Sequence, residues 1–454
     1  MARGARWGAA VVAAAVLAGA LAADRGPAPR HGGGNPVPGY GVRLMIVGDS
    51  ITQGASGSYT WRYRLWRHLT GAGTAVDFVG PRTDLYDFVN ARWGDHDYAA
   101  PRFDWDHDAL SGEPLSTALT TIEAQVRQYR PRYLLVLLGT NDLAIFHATP
   151  QQTAADMRIL VANARRARPD LRFVLGRIPP MTPNPATGPD VDASIAAYDS
   201  GVAGVARELS TVRSPIAVAD TYTGYDDGRD SWDGTHPNAR GELKIAAAFE
   251  DALHTAYGLG PAAARPIPQV PVGPVTAPRL RASGGAGGVL LSWTPVPGAT
   301  GYWLWRREVG VDGGFTRLPD PLNTRSIPWR DTGLASGVTY AYRVQPIQGR
   351  DAGEMSPPVQ AATTADGPPA PRLTAVAGDR EARLTWTPTP GASYWVLLRR
   401  PGERGFRRLP YPVSGPEFTL RPLANGKRYE LRLQRTGGLS DGPLTNVSAV
   451  VPHG

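Results

Sequence analysis

The chain has 454 residues, of which 42% are hydrophobic and 19% are charged, and it contains no Cys. This composition excludes a disordered chain and a disulfide-stapled scaffold, and the length allows two or three domains that each bury a core. The formal net charge of +8 belongs to the C-terminal half, since from Val275 onward 22 Lys and Arg stand against 13 Asp and Glu. No nucleic-acid motif accompanies this charge, so we expect no nucleic-acid partner.

Residues 1–23 have the pattern of a secretory signal peptide. Two arginines precede a run of Ala, Val and Leu that ends in small residues. An uncleaved membrane anchor is the less favoured alternative, because the run is short and rich in weakly apolar Ala. We therefore expect a secreted, extracellular product with no stable membrane anchor after cleavage, which begins with a Gly/Pro-rich lead over residues 24–40.

Residues 41–258 alternate between strand-like and helix-like segments. Apolar runs such as VRLMIV and RYLLVLL are separated by segments such as TAADMRILVANARRAR, in which apolar residues recur about every 3.6 positions. This alternation predicts a largely parallel sheet covered by helices on both faces, which is a three-layer α/β/α domain.

The chain after a Pro/Ala/Gly linker at residues 259–274 repeats itself. LSWTPVPGAT, with Trp293, matches LTWTPTPGAS, with Trp386. LASGVTYAYRVQ, with Tyr340, matches LANGKRYELRLQ, with Tyr429. Short strand-like runs separated by Gly/Pro turns in both repeats predict two all-β modules.

These modules resemble tandem fibronectin type III domains, which are immunoglobulin-like sandwiches. The resemblance rests on an early-strand Trp, a P-x-P-G-A turn and an L-x-x-G-x-x-Y element similar to a tyrosine corner. It places the first module at residues 275–365 and the second at 368–452. We expect the repeated Trp and Tyr side chains to anchor the sandwich cores, and we assign them no binding role.

The stretch VGDSITQG places Ser50 directly after the apolar run VRLMIV. In an open parallel sheet the carboxyl ends of the strands face the ligand crevice, so Ser50 is a candidate nucleophile. A serine needs a base, a group that orients the base, and donors for the oxyanion. Alone, Asp49-Ser50 equally fits a turn or a helix cap, and we expect Asp49 to be a structural, capping carboxylate.

Three further segments carry the groups that such a serine needs. GTND follows RYLLVLL, which places the Asn141 amide at a strand end, with Asp142 expected to cap a turn. Gly112 precedes a helix in ALSGEPLSTAL, where a glycine lets its N–H approach a substrate. DGTHPN holds His236, a candidate base, and Asp233, which can fix its tautomer. Each segment alone also fits an ordinary turn or cap.

Together, in this order, the four segments resemble the sequence blocks of the SGNH (GDSL-type) hydrolases. The resemblance spans Val42 to about Gly258 and implies a flavodoxin-like α/β/α fold with no metal or organic cofactor. An ordinary α/β-hydrolase elbow is excluded, because Thr52 stands where the second Gly of G-x-S-x-G is required. The resemblance implies the catalytic residues Ser50, Asp233 and His236, and the oxyanion donors Ser50 and Gly112 (backbone N–H) and Asn141 (side chain).

The segments VGDSITQG, TWRYRLWRHLTGAG and VDFVG look more like the carbohydrate acetyl-esterase branch of that family than its lipase branch. They imply a serine esterase that hydrolyses carboxylic esters, preferably acetyl esters on carbohydrate. Glu113-Pro114 departs from the bulky residue that usually follows the block glycine, which leaves the substrate contacts open. A short-chain lipase or phospholipase-type esterase of the same family is the alternative.

The loop YDFVNARWGDHDYAAPRFDWDHDALSG is rich in aromatic and acidic residues. Asp104, Asp106 and Asp108 alternate as in a calcium loop, but Ala109 and Leu115 stand where Gly and Glu are needed, so a solvated acidic loop is favoured. Four rings of the loop are candidate stacking faces for a sugar, and packing onto the sheet is an equal alternative. They belong to Trp93, Tyr98, Phe103 and Trp105.

A function of another class is a catalytically silent protein that binds an anionic wall polymer or polysaccharide. The complete set of reactive residues argues against it. In a weaker form, the basic C-terminal modules hold an active esterase near an acidic polysaccharide by an attraction that salt weakens. Spacers with a solvated arginine surface are an equal alternative.

Overall fold

The computed structural model describes residues 41–286, 288–335, 337–364, 370–403, 405–436 and 444–454. The predicted signal peptide and Gly/Pro-rich lead lie outside the described residues. Within the described part of the chain, no helix is long and apolar enough to cross a membrane.

The chain divides into two compact units. Of the described residues, the first unit comprises those up to Thr276 together with Val296–Gly301 and Pro346–Gly353, and the second comprises those within Ala277–Pro295, Tyr302–Gln345 and Glu354–Gly454.

The first unit contains a parallel sheet, whose strands lie in the order β2 (Val76–Phe78), β1 (Val42–Gly48), β6 (Tyr133–Leu137), β7 (Arg172–Gly176) and β8 (Ile216–Ala219). The short strand β5 (Asp108–Ala109) pairs with the end of β1. Numbered among themselves, the five strands in the main path have the order 2-1-3-4-5, which is the flavodoxin-like order. The predicted α/β class is therefore confirmed. The strands are β1 Val42–Gly48, β2 Val76–Phe78, β3 Leu85–Asp87, β4 Arg92–Asp95, β5 Asp108–Ala109, β6 Tyr133–Leu137, β7 Arg172–Gly176 and β8 Ile216–Ala219, with β3 and β4 forming a separate antiparallel pair.

Helices cover both faces of this sheet, and successive side chains of β1 and β6 are buried on each side. Helix α5 (Pro150–Ala167) packs between α3 (Leu115–Tyr129) and α6 (Val191–Leu209), whereas α2 (Trp61–Gly71) packs against α8 (Ala239–Tyr257). Short side chains cap several helix starts, as where the Asn238 side chain accepts hydrogen bonds from the first turn of α8. The helices are α1 Ser50–Gln53, α2 Trp61–Gly71, α3 Leu115–Tyr129, α4 Thr140–Ala144, α5 Pro150–Ala167, α6 Val191–Leu209, α7 Asp227–Asp230 and α8 Ala239–Tyr257.

The register of β1 and β6 sets the position of the candidate site. Val47 pairs with Val136 and Gly48 with Leu137, so the two strands end side by side. Helix α1 begins two residues after the end of β1, and α4 begins three residues after the end of β6. The VGDS and GTND motifs are therefore brought to the same edge of the sheet.

The strands after residue 276 form two pairs of sheets, one pair for each sequence repeat. The first repeat has the sheets β13-β10-β9 and β12-β11-β14-β15, with β16 beside β14, and a 3₁₀ turn at Thr324–Ser326. Its strands are β9 Leu280–Gly285, β10 Gly288–Trp293, β11 Gly301–Glu308, β12 Thr316–Arg317, β13 Trp329–Thr332, β14 Thr339–Gln348, β15 Asp351–Ala352 and β16 Val359–Ala362.

The second repeat has the sheets β17-β18-β22 and β20-β19-β23-β24, with β21 beside β19. Two sheets for each repeat are consistent with the predicted β-sandwich class. The strands are β17 Thr374–Gly378, β18 Glu381–Thr385, β19 Ser393–Arg399, β20 Arg407–Arg408, β21 Val413–Ser414, β22 Glu417–Leu420, β23 Tyr429–Arg435 and β24 Ser448–Val450.

The repeated aromatic residues occupy equivalent places in both repeats. The Trp293 ring contacts Tyr302 edge-on, as the Trp386 ring contacts Tyr394, and both tryptophans are buried. The Tyr340 hydroxyl accepts a hydrogen bond from the N–H five residues upstream at 3.1 Å, and the Tyr429 hydroxyl does the same at 3.0 Å. These rings are core anchors, as the sequence predicts.

Candidate active site

The turn that joins β1 to α1 carries Ser50 and is called the nucleophile turn below. A helix cap at Asp49 holds it in place. Asp49 is the N-cap of α1, and its Oδ1 accepts a 2.9 Å hydrogen bond from the Ile51 N–H. Ser50 is the first helical residue and is 9% exposed. Its N–H belongs to the first turn, whose donors have no intrahelical acceptor, so it points out of the helix end.

Ser50, His236 and Asp233 form a hydrogen-bonded chain, although 186 positions separate the serine from the histidine. The Ser50 Oγ lies 2.9 Å from His236 Nε2, and His236 Nδ1 lies 2.7 Å from Asp233 Oδ2. An ionised carboxylate only accepts, so Nδ1 carries the proton and Nε2 is free to accept from the serine. The structure thus brings the three predicted catalytic residues together in the order that nucleophile activation requires.

The loop that carries Asp233 also fixes the charge of that residue. Asp233 Oδ1 accepts hydrogen bonds from the N–H groups of His236 at 2.7 Å and Thr235 at 3.0 Å. Burial raises the pKa of the Asp233 carboxyl, but the neighbouring imidazole and these hydrogen bonds outweigh it and lower the pKa below its ordinary value. The carboxylate therefore stays ionised beside the imidazole.

Besides the Ser50 N–H, the predicted oxyanion donors lie in the loop before α3, which holds Gly112, and in the short helix α4, which holds Asn141. Gly112 has φ +83°, and its N–H has no acceptor among the described residues. The preceding N–H, of Ser111, donates to Gln53 Oε1 at 2.7 Å. The following carbonyl, of Glu113, accepts from Asn141 Nδ2 at 3.0 Å, which leaves the second hydrogen of that amide available.

The two other motif carboxylates have structural roles, as the sequence predicts. Asp142 Oδ2 accepts from the N–H of Leu115, the first residue of α3, at 2.9 Å. Burial raises the pKa of the Asp142 carboxyl above its ordinary value, although the hydrogen bond from Leu115 acts to lower it. Burial also raises the pKa of Asp49 to about 6, even though the Ile51 N–H and the charge of His236 oppose it. Both side chains face backbone N–H groups at helix starts.

Two aromatic rings enclose the imidazole of His236, and the sequence analysis missed both. The Trp232 ring stacks on it at 5.1 Å between centroids and 19° between planes. The Phe88 ring approaches at 4.6 Å in an edge orientation. Trp232 directly precedes the DGTHPN motif, so its position was a usable signal. Phe88 lies in a loop far away in sequence and gives no local signal.

Two of the four predicted stacking rings are core residues of their loop, which corrects the prediction. Tyr98 is 6% exposed and Phe103 is 3% exposed, and their rings contact each other edge-on at 5.3 Å. They form a separate apolar cluster with Leu85, so neither ring face is open to a sugar. Alternating aromatic residues do not distinguish a stacking platform from a packed loop without the long-range contacts.

Trp93 and Trp105 keep partly exposed side chains. The Trp93 ring lies 5.5 Å from that of Tyr86, and the Trp105 ring stacks on Tyr98 at 4.9 Å. Each tryptophan therefore packs on one side against the loop. The open part of each ring stays a candidate contact for substrate.

Arg62, which is fully buried in α2, connects the loop to the nucleophile turn. Its guanidinium donates to the carbonyls of Thr52 at 2.9 Å and Gln53 at 3.0 Å, at the end of α1. It also donates to the Tyr98 hydroxyl at 2.9 Å and the Trp105 carbonyl at 3.0 Å. Five donors in a rigid plane suit this bridging role, which no local pattern predicts.

Asp104 and Asp108 of the acidic loop are buried, which corrects the expectation of a solvated loop. Asp104 Oδ2 accepts from the Phe78 N–H at 2.7 Å. Burial and the neighbouring Asp106 raise the pKa of Asp104 to about 7, and burial and Asp77 raise that of Asp106 to about 6. In the part of the chain that the structure describes, no group of three or more acidic or histidine side chains is arranged to hold a metal ion.

Residues 46–243, which carry all four motifs, match the GDSL-like lipase/acylhydrolase family. This segment is a GDSL-type serine hydrolase domain. Over 219 residues the chain is 26% identical to a multidomain esterase of Ruminococcus flavefaciens, a match that covers 45% of this chain. The chain spans only 27% of the length of that relative.

Two solved structures are also similar to part of this chain. A carbohydrate esterase family 3 protein from Talaromyces cellulolyticus is 29% identical, with a TM-score of 0.39, and the match covers 46% of this chain and 94% of that one. A family 3 carbohydrate esterase of Clostridium thermocellum is 22% identical, with a TM-score of 0.38, and the match covers 47% of this chain and 94% of that one.

Proposed function

We propose that the chain is a secreted serine esterase that removes acetyl groups from carbohydrate through a covalent acyl-enzyme. The observation that carries the proposal is the chain of hydrogen bonds from Ser50 Oγ through His236 to Asp233, at 2.9 and 2.7 Å. It lies in a domain of the GDSL type. These contacts meet the distance requirement for a base that abstracts the serine proton.

In the first half-reaction, Ser50 Oγ attacks the ester carbonyl carbon while His236 Nε2 takes the serine proton. Collapse of the tetrahedral intermediate breaks the bond to the alcohol, which leaves with the proton from His236. Water, deprotonated by the same imidazole, then attacks the acyl-Ser50 ester and releases the acid. Asp233 holds the ring orientation and stabilises the imidazolium that forms twice per cycle.

The negative charge on the attacked carbonyl oxygen needs donors that are in place before the reaction. The proposed donors are the N–H groups of Ser50 and Gly112 and the side-chain amide of Asn141. The hydrogen bond from Asn141 Nδ2 to the Glu113 carbonyl supports this assignment, because it holds the amide next to the Gly112 loop. The proposed reaction steps involve neither a metal ion nor an organic cofactor.

The acetylated carbohydrate substrate rests on the resemblance of VGDSITQG, TWRYRLWRHLTGAG and VDFVG to carbohydrate acetyl-esterases. Trp93 and Trp105 remain proposed contacts for a sugar ring, since each keeps a partly exposed side chain. A short-chain lipase or phospholipase-type esterase uses the same residues and is distinguished by acyl length.

The two C-terminal repeats are proposed to be fibronectin type III domains. The tyrosine-corner hydrogen bonds of Tyr340 and Tyr429, to N–H groups five residues upstream, support this assignment. The excess of arginine after Val275 supports attachment to an acidic polysaccharide or wall polymer. Secretion is proposed from the signal-peptide pattern of residues 1–23.

The test uses the mature protein and its Ser50→Ala variant, with Ser200→Ala as the matched control on the exposed side of α6. Hydrolysis of p-nitrophenyl esters from acetyl to palmitoyl gives the acyl preference, and acetate release from acetylated xylan gives the substrate class. We expect acetyl preference, release of acetate from xylan, loss of both in Ser50→Ala, and full activity in Ser200→Ala.

Four other outcomes each contradict a different part of the proposal. Preference for long acyl chains assigns the domain to lipase chemistry. Acetyl-ester hydrolysis without release of acetate from any acetylated polysaccharide removes the carbohydrate substrate. Activity that survives Ser50→Ala contradicts the mechanism, and absence of any activity leaves a protein that only binds.

A further inference from the structure

The first unit includes a short segment, residues 346–353, that lies more than one hundred positions after the last catalytic motif. Within this unit the segment contacts the loop that carries His236. The Arg350 N–H donates to the Trp232 carbonyl at 3.0 Å. One guanidinium nitrogen of Arg350 donates to the carbonyls of Gly228 at 2.7 Å and Ser231 at 2.7 Å.

These carbonyls lie at and just after α7, so Arg350 satisfies acceptors that the end of this short helix leaves open. The same nitrogen also donates to the Asp227 carbonyl at 3.0 Å. A cation at the C-terminal end of a helix is also favoured by the partial negative charge there. Arg350 thus holds the loop immediately before the DGTHPN motif from two sides, through its backbone and its side chain.

Trp232 transmits this contact to the imidazole. Its ring stacks on the His236 ring, with 5.1 Å between centroids and 19° between planes. The backbone N–H of Trp232 donates to the His236 carbonyl at 2.9 Å. Trp232 is 7% exposed, so its ring has little room to move without displacing its neighbours. A shift of the indole therefore changes the tilt of the ring that accepts the serine proton.

Gly349 packs directly against the same tryptophan. It has φ +54°, and a Cβ at this position would lie 2.3 Å from Trp232 Cε3 and 2.5 Å from the Trp232 carbonyl oxygen. No side chain fits there unless Trp232 moves. The segment is thus in close contact with the residue that forms one wall of the imidazole site.

We propose that Gly349 and Arg350 are positioning residues for His236, acting through Trp232. The catalytic unit of this protein then extends beyond the family segment at residues 46–243 and needs residues 346–353 for full activity. This inference rests on the proposed function, because it assigns a role to groups that orient the proposed base. Neither residue touches the reacting atoms.

The test compares Arg350→Ala, Arg350→Lys and Gly349→Ala in the full chain. The matched control is Arg343→Ala, since Arg343 also donates to a backbone carbonyl, that of Ser356 at 3.0 Å. Two kinetic measurements are made. Steady-state hydrolysis of p-nitrophenyl acetate gives kcat and KM, and mass spectrometry gives the rate at which a fluorophosphonate phosphonylates Ser50. Thermal unfolding of each variant shows whether the fold is retained.

We expect Arg350→Ala to lower both kcat and the phosphonylation rate about 10-fold with KM unchanged, because misplacing a catalytic group costs rate rather than binding. Arg350→Lys restores part of the rate, since an ammonium group also donates to carbonyls. Gly349→Ala lowers kcat further, and Arg343→Ala changes neither rate.

Wild-type kcat and labelling rate in both Arg350→Ala and Gly349→Ala would overturn the inference while leaving the proposed function intact. The inference would also be overturned if kcat fell only in proportion to the loss of folded protein and Arg350→Lys restored none of it. Wild-type protein that is not phosphonylated at Ser50 would overturn the proposed function and this inference together.

Discussion

The Ser111 N–H donates a 2.7 Å hydrogen bond to the side-chain oxygen of Gln53, the last residue of α1, which begins with Ser50. Gln53 is fully buried, and its amide nitrogen donates to Asp84 at 3.1 Å, which fixes the orientation of the side chain. The residue after Ser111 is Gly112, the proposed oxyanion donor. One side chain therefore sets the distance between the turn that carries the nucleophile and the loop that stabilises the oxyanion.

Replacing Gln53 with Met keeps the side-chain length and removes both hydrogen bonds. We expect kcat/KM for p-nitrophenyl acetate to fall about 10-fold or more, since an unpaired buried N–H costs about 1–3 kcal/mol and the Gly112 loop loses its anchor. Gln152→Met is the matched control, because Gln152 is an exposed residue of α5. Equal kcat/KM in the Gln53 variant and the wild type would contradict the role of this contact.

Asn141 is the proposed side-chain donor to the oxyanion, and Asn141→Ala tests it. We expect kcat to fall about 10²–10³-fold with little change in KM, because the donor acts on charge that develops only in the transition state. Asn163→Ala is the control, since Asn163 also donates its amide to a backbone carbonyl, that of Leu119 at 2.9 Å. A fall confined to KM would assign Asn141 to ground-state binding instead.

Asp233→Asn tests the orientation of the base. The amide favours the wrong imidazole tautomer, so we expect kcat to fall about 10³–10⁴-fold. The lowered pKa of Asp233 also contributes stability above the ordinary aspartate pKa of about 4, and this stability is lost as pH falls below it. The difference in unfolding midpoint between wild type and variant should therefore shrink towards pH 3. Asp190→Asn, an exposed control, should leave kcat unchanged.

Local patterns in the sequence predict the covered parallel sheet and the candidate residues at its strand ends, whereas the flavodoxin-like fold and the roles of these residues are what the resemblance to SGNH hydrolases implies. Apolar runs followed by polar motifs place Ser50 and Asn141 at strand ends, and a short loop places Asp233 beside His236. The adjacent ends of β1 and β6 then bring these motifs to one edge. Strand adjacency of this kind follows from the fold class rather than from any single residue.

The environment of these residues could not be predicted in the same way. Phe88 reaches His236 from a distant loop, and Arg62 crosses from α2 to carbonyls of α1. The sequence left open whether Tyr98 and Phe103 form a stacking platform or pack within the domain, and packing against Leu85 buries them. These contacts depend on how a long loop folds back on the sheet, which neither periodicity nor composition encodes.

Asp104 makes the hydrolase domain less stable as pH rises, whereas a carboxylate paired with a cation makes a protein more stable as pH rises. Its pKa is raised to about 7, so the folded protein binds this proton more tightly than the unfolded chain does. Stability from this group is complete below about pH 4 and is lost as pH rises towards 7, by at most about 4 kcal/mol for a pKa that folding raises from 3.8 to about 7.

Asp104→Asn removes this titration and keeps an oxygen that can accept from the Phe78 N–H. We therefore expect the variant to match the wild type at pH 4 and to unfold at a higher denaturant concentration at pH 7.5, as followed by the far-ultraviolet circular dichroism of helix. Asp170→Asn is the control of opposite sign, because a hydrogen bond from Arg168 lowers the pKa of that exposed carboxyl. Asp170→Asn should leave the stability of the protein unchanged or slightly lower at pH 7.5. An Asp104 variant that is less stable than the wild type at pH 7.5 would show that the ionised carboxylate stabilises the loop.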